Sequence, residues 1–133
     1  MTTISHDLDV DASVLEAERE WLHALTIGFD ALRELMLDDS HVVHGPVGKI
    51  DPVDSFVEFQ SKRRHAVVAR ARDTRVTVRG EYAVVSCLQE MHIVFDANLP
   101  PFPIEEVVTR VWRNTDAGWR VAHMQQSKRL PPA

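Results

Sequence analysis

Two apolar segments joined by a short polar turn constrain the fold more than any other feature of this sequence. They are residues 109–112 and 119–123, and their spacing predicts a β-hairpin. Side chains of a strand alternate between its two faces, so a charged group among apolar neighbours points either into water or into a polar cavity. Arg110 and His123 are such groups. The hairpin therefore predicts a sheet that covers one enclosed site.

Length and charge limit the class of protein. A chain of 133 residues suits a single domain, residues 1–133, that buries roughly two-thirds of its unfolded surface. The formal net charge is -5 and no basic tail is present, which argues against a nucleic-acid-binding protein. The arginines between residues 63 and 79 form a loose run, which we interpret as a solvated strand face.

Cysteine content and hydropathy indicate the cellular compartment of the protein. The single Cys87 cannot form an intramolecular disulfide, which favours a reducing compartment. No segment approaches the ~20 apolar residues of a membrane helix. The amino terminus is acidic where a signal peptide would be basic. We therefore predict a cytoplasmic protein that contacts no membrane.

The first half of the chain shows helical periodicity. Ser13 and Glu16 form a capping box that predicts a helix over 13–27, preceded by a loose arm, residues 1–12. A second helix is predicted from about residue 30 until the aspartates at 38–39. In the pair Asp51-Pro52, an aspartate N-cap followed by proline at the first helical position predicts a third helix, ending near residue 63.

The second half switches to a period of two, which is typical of strands. The predicted strands are residues 41–44, 65–78, 81–95, 104–113 and 118–126. A bulge is predicted near Arg72-Asp73, the proline-rich segment 100–103 is predicted to lie outside the sheet, and residues 128–133 form a tail. Three helices followed by antiparallel strands predict an α+β fold, with the helices packed on one face of a strongly curved sheet.

Several polar residues interrupt apolar faces. Glu18 lies within the apolar stripe of the first helix, where a carboxylate must be paired, protonated or beside a cavity. Arg110 is its candidate partner, either in a purely structural ion pair or in a ligand site. Gln89 interrupts an apolar strand face and could bind a ligand or a neighbouring strand. His44 and His123 are candidate bases, although a single histidine is more often structural than catalytic.

Motifs in the sequence resemble those of the nuclear transport factor 2-like (NTF2-like) superfamily, above all its small SnoaL-like members of the DUF4440 kind. Glu18-x-x-Trp21 followed by Gly28 is similar to that group's first helix. The hairpin over 109–123 closely resembles the end of the calcium/calmodulin-dependent kinase II association domain. The resemblance spans about residues 14–127. It implies a cone-shaped (cystatin-like) fold, a pocket at its wide end and homodimerisation through the sheet.

The resemblance also implies site residues. In the kinase association domain, the arginine matching Arg110 lines the pocket and binds small carboxylates. Further pocket arginines there match Gln126 and fall near Gln89. Both positions are uncharged here, which weakens the expectation of a carboxylate ligand. In the related ketosteroid isomerases, a tyrosine and an aspartate correspond to Trp21 and to His44 or its neighbour, so steroid isomerisation is not implied.

Three functions stay open. The leading interpretation is a cytoplasmic NTF2-like homodimer that binds a small, partly apolar molecule. A small isomerase, cyclase or hydrolase with a histidine base is the second, and a dimeric assembly module without catalysis is the third. The predicted ligand-binding residues are Glu18, Trp21, Gln89, Arg110 and Gln126, and the predicted catalytic residues are His44 and His123. No metal-binding or cofactor-binding motif is present, so no metal or cofactor is expected.

Overall fold

The computed structural model describes residues 3–45, 47–62 and 66–130. Its helices are α1 (Thr3–Ile27), α2 (Phe29–Glu34) and α3 (Val53–Lys62). Its strands are β1 (Met36–His44), β2 (Lys49–Pro52), β3 (Ala66–Arg79), β4 (Tyr82–Ile93), β5 (Phe102–Thr115) and β6 (Gly118–Lys128). The predicted α+β class, with three helices and a curved sheet, is confirmed.

The six strands form one sheet in the order β2-β1-β6-β5-β4-β3. All neighbouring strands are antiparallel except β1 and β6, which run parallel. The sequence predicted an antiparallel sheet, and the parallel pairing of β1 with β6 was not part of that prediction. Helix α2 ends only two residues before β1, so the first strand follows directly from the helical layer.

Helix α1 begins at Thr3, so residues 3–12 are helical rather than a loose arm. The predicted capping serine lies inside the helix. The Ser13 hydroxyl donates to the Val10 carbonyl oxygen (2.8 Å) and accepts from the Trp119 indole nitrogen (2.9 Å). Its side chain therefore joins α1 to β6 instead of capping a helix end. Residues 1–2 of the predicted arm and 131–133 of the predicted tail lie outside the described residues.

The second helix is shorter than predicted. It ends at Glu34, and Asp38 and Asp39, predicted to stop it, lie within β1. The reason is a change of period, because Ser40, Val42 and His44, which alternate along β1, are all buried. Extended pairing with β6 and β2 fixes this segment as a strand.

The third helix starts at Val53, later than predicted. Asp51, the expected N-cap, lies in β2 opposite Val42, and its side chain is buried. Pairing with β1 therefore takes this aspartate into the sheet. The predicted end of the helix near residue 63 and the predicted start of the next strand at residue 65 lie outside the described residues.

The predicted bulge in β3 is confirmed. The register with β4 shifts between Arg72 and Arg75, and Asp73 has a φ of 55°. The proline-rich segment differs from the prediction, because β5 begins at Phe102 and Pro103 pairs with His92. Strand β6 ends opposite Glu106, so Pro103 has a neighbouring strand on one side only. A residue without a backbone N–H is tolerated at such a half-edge position.

The two faces of the sheet differ in character. On β5, Glu106, Val108, Arg110 and Trp112 point inward and are buried under the helices. Their alternate neighbours on the outer face are exposed or half-buried. The apolar core lies between the inner face and the helices, with Trp21, Phe56, Val108, Trp112 and Met124 among its fully buried members. No described helix is long and apolar enough to cross a membrane.

Candidate functional site

A buried ion pair lies at the centre of the core. The Arg110 side chain is 0% exposed, and its Nε and Nη2 donate to the two carboxylate oxygens of Glu18 at 2.8 and 2.7 Å. The Trp112 indole nitrogen donates to the same carboxylate at 2.7 Å. The predicted pairing of Glu18 with Arg110 is confirmed, and it joins α1 to β5.

The rest of the guanidinium also has partners inside the core. Arg110 Nη1 donates to Gln89 Oε1 (2.9 Å) and approaches the Met124 sulfur (3.6 Å), and Nη2 approaches the Cys87 sulfur (3.7 Å). The Trp21 ring lies against the guanidinium, with 5.4 Å between its centroid and Cζ. An arginine has five N–H donors. Each of them therefore has an acceptor in the protein, and none is left for a ligand.

Burial and neighbouring charges shift the pKa values of this cluster in opposite directions. Desolvation disfavours the charged arginine, but the hydrogen bonds and the charge of Glu18 raise the pKa of Arg110 above its ordinary value. Burial raises the pKa of the Cys87 thiol, although the arginine charge partly offsets this. Cys87 is therefore a neutral, inert thiol in this environment.

This arrangement corrects the predicted pocket. Glu18, Trp21, Gln89 and Arg110 lie together, as expected, but in a closed core and not in the wall of a cavity. The Trp21 indole N–H finds no hydrogen-bond acceptor among the described residues. The physical reason is that the carboxylate of Glu18 and the amide of Gln89 accept the Arg110 hydrogen bonds that a ligand would need.

His123 is also absent from the cavity wall. It is half-buried and pairs with Val111 on one side and His41 on the other, whereas the next residue, Met124, is fully buried. The alternation along β6 puts Met124 and Gln126 on the inner face and His123 on the outer face. The structure thus separates the two histidines that were predicted as bases.

A cavity of about 680 Å³ opens at one end of the sheet, between α3, the end of β1 and the ends of β4, β5 and β6. Most of its wall is apolar, with contributions from Met91, Phe102, Ile104 and Leu130. Its volume falls within the range of small-molecule sites, which are concave and largely apolar with a few polar groups. Of the predicted site residues, His44 and Gln126 line it.

His44 is held at the inner wall by aromatic packing and by the backbone. Its ring lies 5.4 Å from Phe56 and 5.3 Å from Phe59, between centroids. The next residue, Gly45, donates its backbone N–H to the Gln126 carbonyl oxygen at 2.8 Å. A Cβ at Gly45 would approach that oxygen to 2.6 Å, so only glycine allows β1 to end this close to β6.

Glu106 is a cavity residue that the sequence reasoning missed. It is 7% exposed, lies on the inner face of β5 and lines the cavity with His44 and Gln126. The sequence contains a pattern that indicates its inward position, because a period of two places Glu106 on the same strand face as Arg110. The cavity wall therefore combines an imidazole, a carboxylate and an amide.

Charged groups surround the cavity mouth. Glu90 accepts two hydrogen bonds from Arg70 (both 3.0 Å) and lies 2.7 Å from the His92 ring nitrogen. The Arg70 hydrogen bonds, followed by that of His92, lower the pKa of Glu90 to about 2. Glu105 similarly contacts Arg72, at 3.0 Å. Glu90 is therefore a fixed anion of the rim at neutral pH.

The described residues contain no group of three or more histidine, cysteine, aspartate or glutamate side chains that could hold a metal ion. The cavity wall offers the hydrogen-bonding groups of His44, Glu106 and Gln126 against an apolar surface. These three polar residues come from three different strands, β1, β5 and β6.

Comparisons with known proteins agree with this architecture. A family described as the SnoaL-like domain matches residues 14–131. No curated protein matches the chain. An NTF2-like protein of unknown function in nutrient uptake from Rhodospirillum rubrum is 22% identical, with 88% of this chain and 98% of that chain covered and a TM-score of 0.77.

Two further solved structures are similar. A candidate dehydratase of the NTF2-like family from Streptomyces avermitilis is 22% identical over 94% of this chain and 99% of its own, with a TM-score of 0.78. The CaMKII hub of S. rosetta is 23% identical over 89% of this chain and 95% of its own, with a TM-score of 0.69. At these identities the matches show a shared fold.

Proposed function

Because the chain belongs to the SnoaL-like family, we propose that it binds a small, mostly apolar molecule with one hydrogen-bonding group in the cavity at the end of the sheet. The observation that carries this proposal is the combination of an apolar wall of about 680 Å³ with three buried polar side chains, His44, Glu106 and Gln126. A concave wall that is mostly apolar and carries a few polar groups to orient a ligand is the usual composition of a small-molecule site.

The ligand would contact the apolar wall with its body and the polar residues with one group. Met91 and Ile104 offer flexible and branched apolar surface, and Phe102 offers an aromatic ring at the mouth. The Gln126 amide is well suited to read the polar group, because it can both donate and accept. Arg110 has no part in this proposal, since its donors are engaged by Glu18 and Gln89.

A thermal-shift screen tests the proposal. Steroids, polyketide-like aromatics and small carboxylates are added at increasing concentration, and a true ligand at about 100 times its Kd stabilises the folded protein by about 2.7 kcal/mol. Gln126→Leu keeps the side-chain size and is expected to weaken binding about tenfold, through loss of about 1.4 kcal/mol.

The matched control is Gln125→Leu, which makes the same change on the exposed outer face. It should leave the ligand Kd unchanged. Equal binding by both variants and the unmodified protein, or no stabilisation by any compound class, would overturn the proposed site.

A second candidate function is catalysis of proton transfer in the same cavity. It is favoured by the joint presence of an imidazole, His44, and a carboxylate, Glu106, in one buried wall. Two titratable groups in different surroundings are the minimal equipment for general acid–base chemistry. Deuterium exchange from solvent into a bound ligand, followed by NMR, tests it. Loss of exchange in His44→Gln, with binding retained, is the expected result; exchange that persists in this variant and in Glu106→Gln refutes it.

For assembly and location we propose a cytoplasmic homodimer that forms through the outer face of the sheet. Support comes from the oligomeric hub among the structural neighbours and from exposed apolar residues on that face, including Val84 and Val107. The buried free thiol of Cys87 is compatible with a reducing compartment. Light scattering, with a mass twice that of the chain, tests the dimer, and fractionation of cells tests the location.

A further inference from the structure

The last five residues of β3 form a regular edge of the sheet with a symmetric side-chain order. They are Arg75, Val76, Thr77, Val78 and Arg79, and they pair with β4 without a shift of register. β3 is the outermost strand, so its other side has no neighbouring strand. Apart from the pairing with β4, no described segment makes a backbone hydrogen bond to these five residues. This segment, the 75–79 edge, therefore offers unpaired backbone N–H and C=O groups.

The two faces of the 75–79 edge differ in chemistry. Val76 and Val78 point inward, are half-buried and pack against the apolar core. Arg75, Thr77 and Arg79 are exposed on the outer face. A strand added to this edge would follow the same alternation. Its inward side chains would lie beside the two valines, and its outward side chains beside the arginines and the threonine.

The four arginines of β3 fall into two pairs with different surroundings. Two of them bind carboxylates of the cavity rim at 3.0 Å, as Arg70–Glu90 and Arg72–Glu105. No described carboxylate lies within ion-pair distance of Arg75 or Arg79. Arg79 donates instead to the carbonyl oxygen of Val78, at 2.8 Å. The acid that follows the turn, Glu81, lies beside Arg113. Two cations four residues apart are therefore available to the carboxylates of a partner.

We propose that the 75–79 edge binds an extended acidic segment of a partner protein, which joins the sheet as an additional strand. The matching segment has carboxylates at its first and fifth positions and apolar side chains at its second and fourth. Backbone hydrogen bonds supply affinity in such strand addition, and alternate side chains supply specificity. Opposite charges directly across two strands stabilise the pairing. This interaction is independent of the cavity and of its ligand.

The symmetric order of the 75–79 edge selects the partner by charge and not by direction. The order Arg-Val-Thr-Val-Arg reads the same both ways, so one acidic order fits a parallel and an antiparallel strand equally. A second copy of the same five residues would place arginine opposite arginine at both ends in either direction. Like charges directly opposite each other destabilise a strand pair. The edge therefore rejects an identical strand and favours an acidic one.

Peptide binding to the intact protein, followed by fluorescence anisotropy, tests the charge requirement. The probe is a labelled, glycine-flanked peptide with the core Glu-Val-Thr-Val-Glu. Its controls are Lys-Val-Thr-Val-Lys, which reverses the charge, and Glu-Glu-Thr-Val-Val, which keeps the composition and breaks the alternation. The probe is expected to bind at least tenfold more tightly than either control. Arg75→Glu combined with Arg79→Glu should reverse the preference, so that the lysine peptide binds more tightly. Arg70→Gln, a matched change at a 65% exposed arginine of the same strand, should leave the Kd within about twofold.

Backbone methylation distinguishes strand addition from plain charge attraction and needs only the unmodified protein. A strand at an edge pairs through the N–H groups of alternate residues. Two versions of the probe are therefore N-methylated, one at the odd positions of its core and one at the even positions. One version should lose affinity at least tenfold, and the other should keep it. Equal binding of both versions, equal binding of the lysine peptide, or no binding of the probe overturns the proposal. Weaker probe binding at higher protein concentration would show that a second copy occupies the edge, and would overturn it too.

Discussion

Glu18→Gln is the sharpest test of the buried cluster, because it removes one charge and changes almost nothing else. In the folded protein the Glu18 carboxylate accepts two hydrogen bonds from Arg110 and one from Trp112. The amide that replaces it keeps the shape but has a single acceptor oxygen. The arginine would then be a buried cation with no counter-charge.

The expected loss of stability follows from the burial of both side chains. The Arg110 and Glu18 side chains are 0% and 5% exposed. Breaking a buried ion pair by removing one partner costs about 3–5 kcal/mol, because the remaining charge stays desolvated. For a domain of this size, each kcal/mol shifts the Tm by about 4 °C. We therefore expect the Tm of Glu18→Gln to fall by about 12–20 °C.

The same helix offers a matched control. Glu16 forms an ion pair with Arg19 at 2.7 Å, the same distance, but these side chains are 60% and 65% exposed. Exposed pairs contribute about 0–1 kcal/mol, so Glu16→Gln should lower the free energy of unfolding by no more than that. Urea unfolding followed by circular dichroism gives both values, and fluorescence of the buried tryptophans checks that the transition is two-state.

A double-mutant cycle completes the test. Arg110→Met alone leaves a buried carboxylate, whereas Glu18→Leu combined with Arg110→Met leaves neither charge. The double variant is expected to be more stable than either single variant, since replacing both partners of a buried pair is often neutral. A Glu18→Gln variant within 1 kcal/mol of the unmodified protein, or strictly additive single effects, would refute the argument that burial makes this pair indispensable.

Three further predictions concern the rim, the cavity and the helix–sheet contact. The folded pKa of Glu90 is about 2, below its ordinary 4.5, so its contribution to stability is complete above about pH 4.5 and is lost as the pH falls towards 2. The Tm difference between Glu90→Gln and the unmodified protein should shrink over that range; a constant difference contradicts it. Gly45→Ala should cost about 1–3 kcal/mol, because its Cβ would meet the Gln126 carbonyl oxygen at 2.6 Å, and an unchanged urea midpoint would count against this clash. Ser13→Ala should cost about 1 kcal/mol through loss of the Trp119 hydrogen bond, with no further loss when combined with Trp119→Phe; additive losses would mean the two side chains do not interact.

Much of the architecture could be predicted from local patterns. The bulge at Asp73 and the two closing strands follow from a period of two, which is a property of neighbouring residues alone. The pairing of Glu18 with Arg110 was also predictable, because each interrupts an apolar face and a buried charge needs a partner. The start of α1 was missed, because the capping box at Ser13 is a local signal that contacts with β6 override.

The position of the cavity could not be predicted in the same way. It depends on the parallel register of β1 with β6, which brings His44 beside Gln126. No local pattern in the sequence sets that register. The same uncertainty led us to expect a hollow around Arg110, where Gln89 and the α1 carboxylate fill the space.

The two edge strands of the sheet differ in length, and this affects the tendency of the protein to aggregate at high concentration. β2 is only four residues long, whereas β3 offers fourteen residues of unpaired backbone on its free side. Long exposed edge strands can pair with strands of other molecules and so start aggregation. β3 carries four arginines; Arg70 and Arg72 form ion pairs with Glu90 and Glu105, whereas the positive charges of Arg75 and Arg79 repel an identical strand. The arginine run therefore protects the protein against fibril formation, and exchanging it for neutral β-formers would remove that protection.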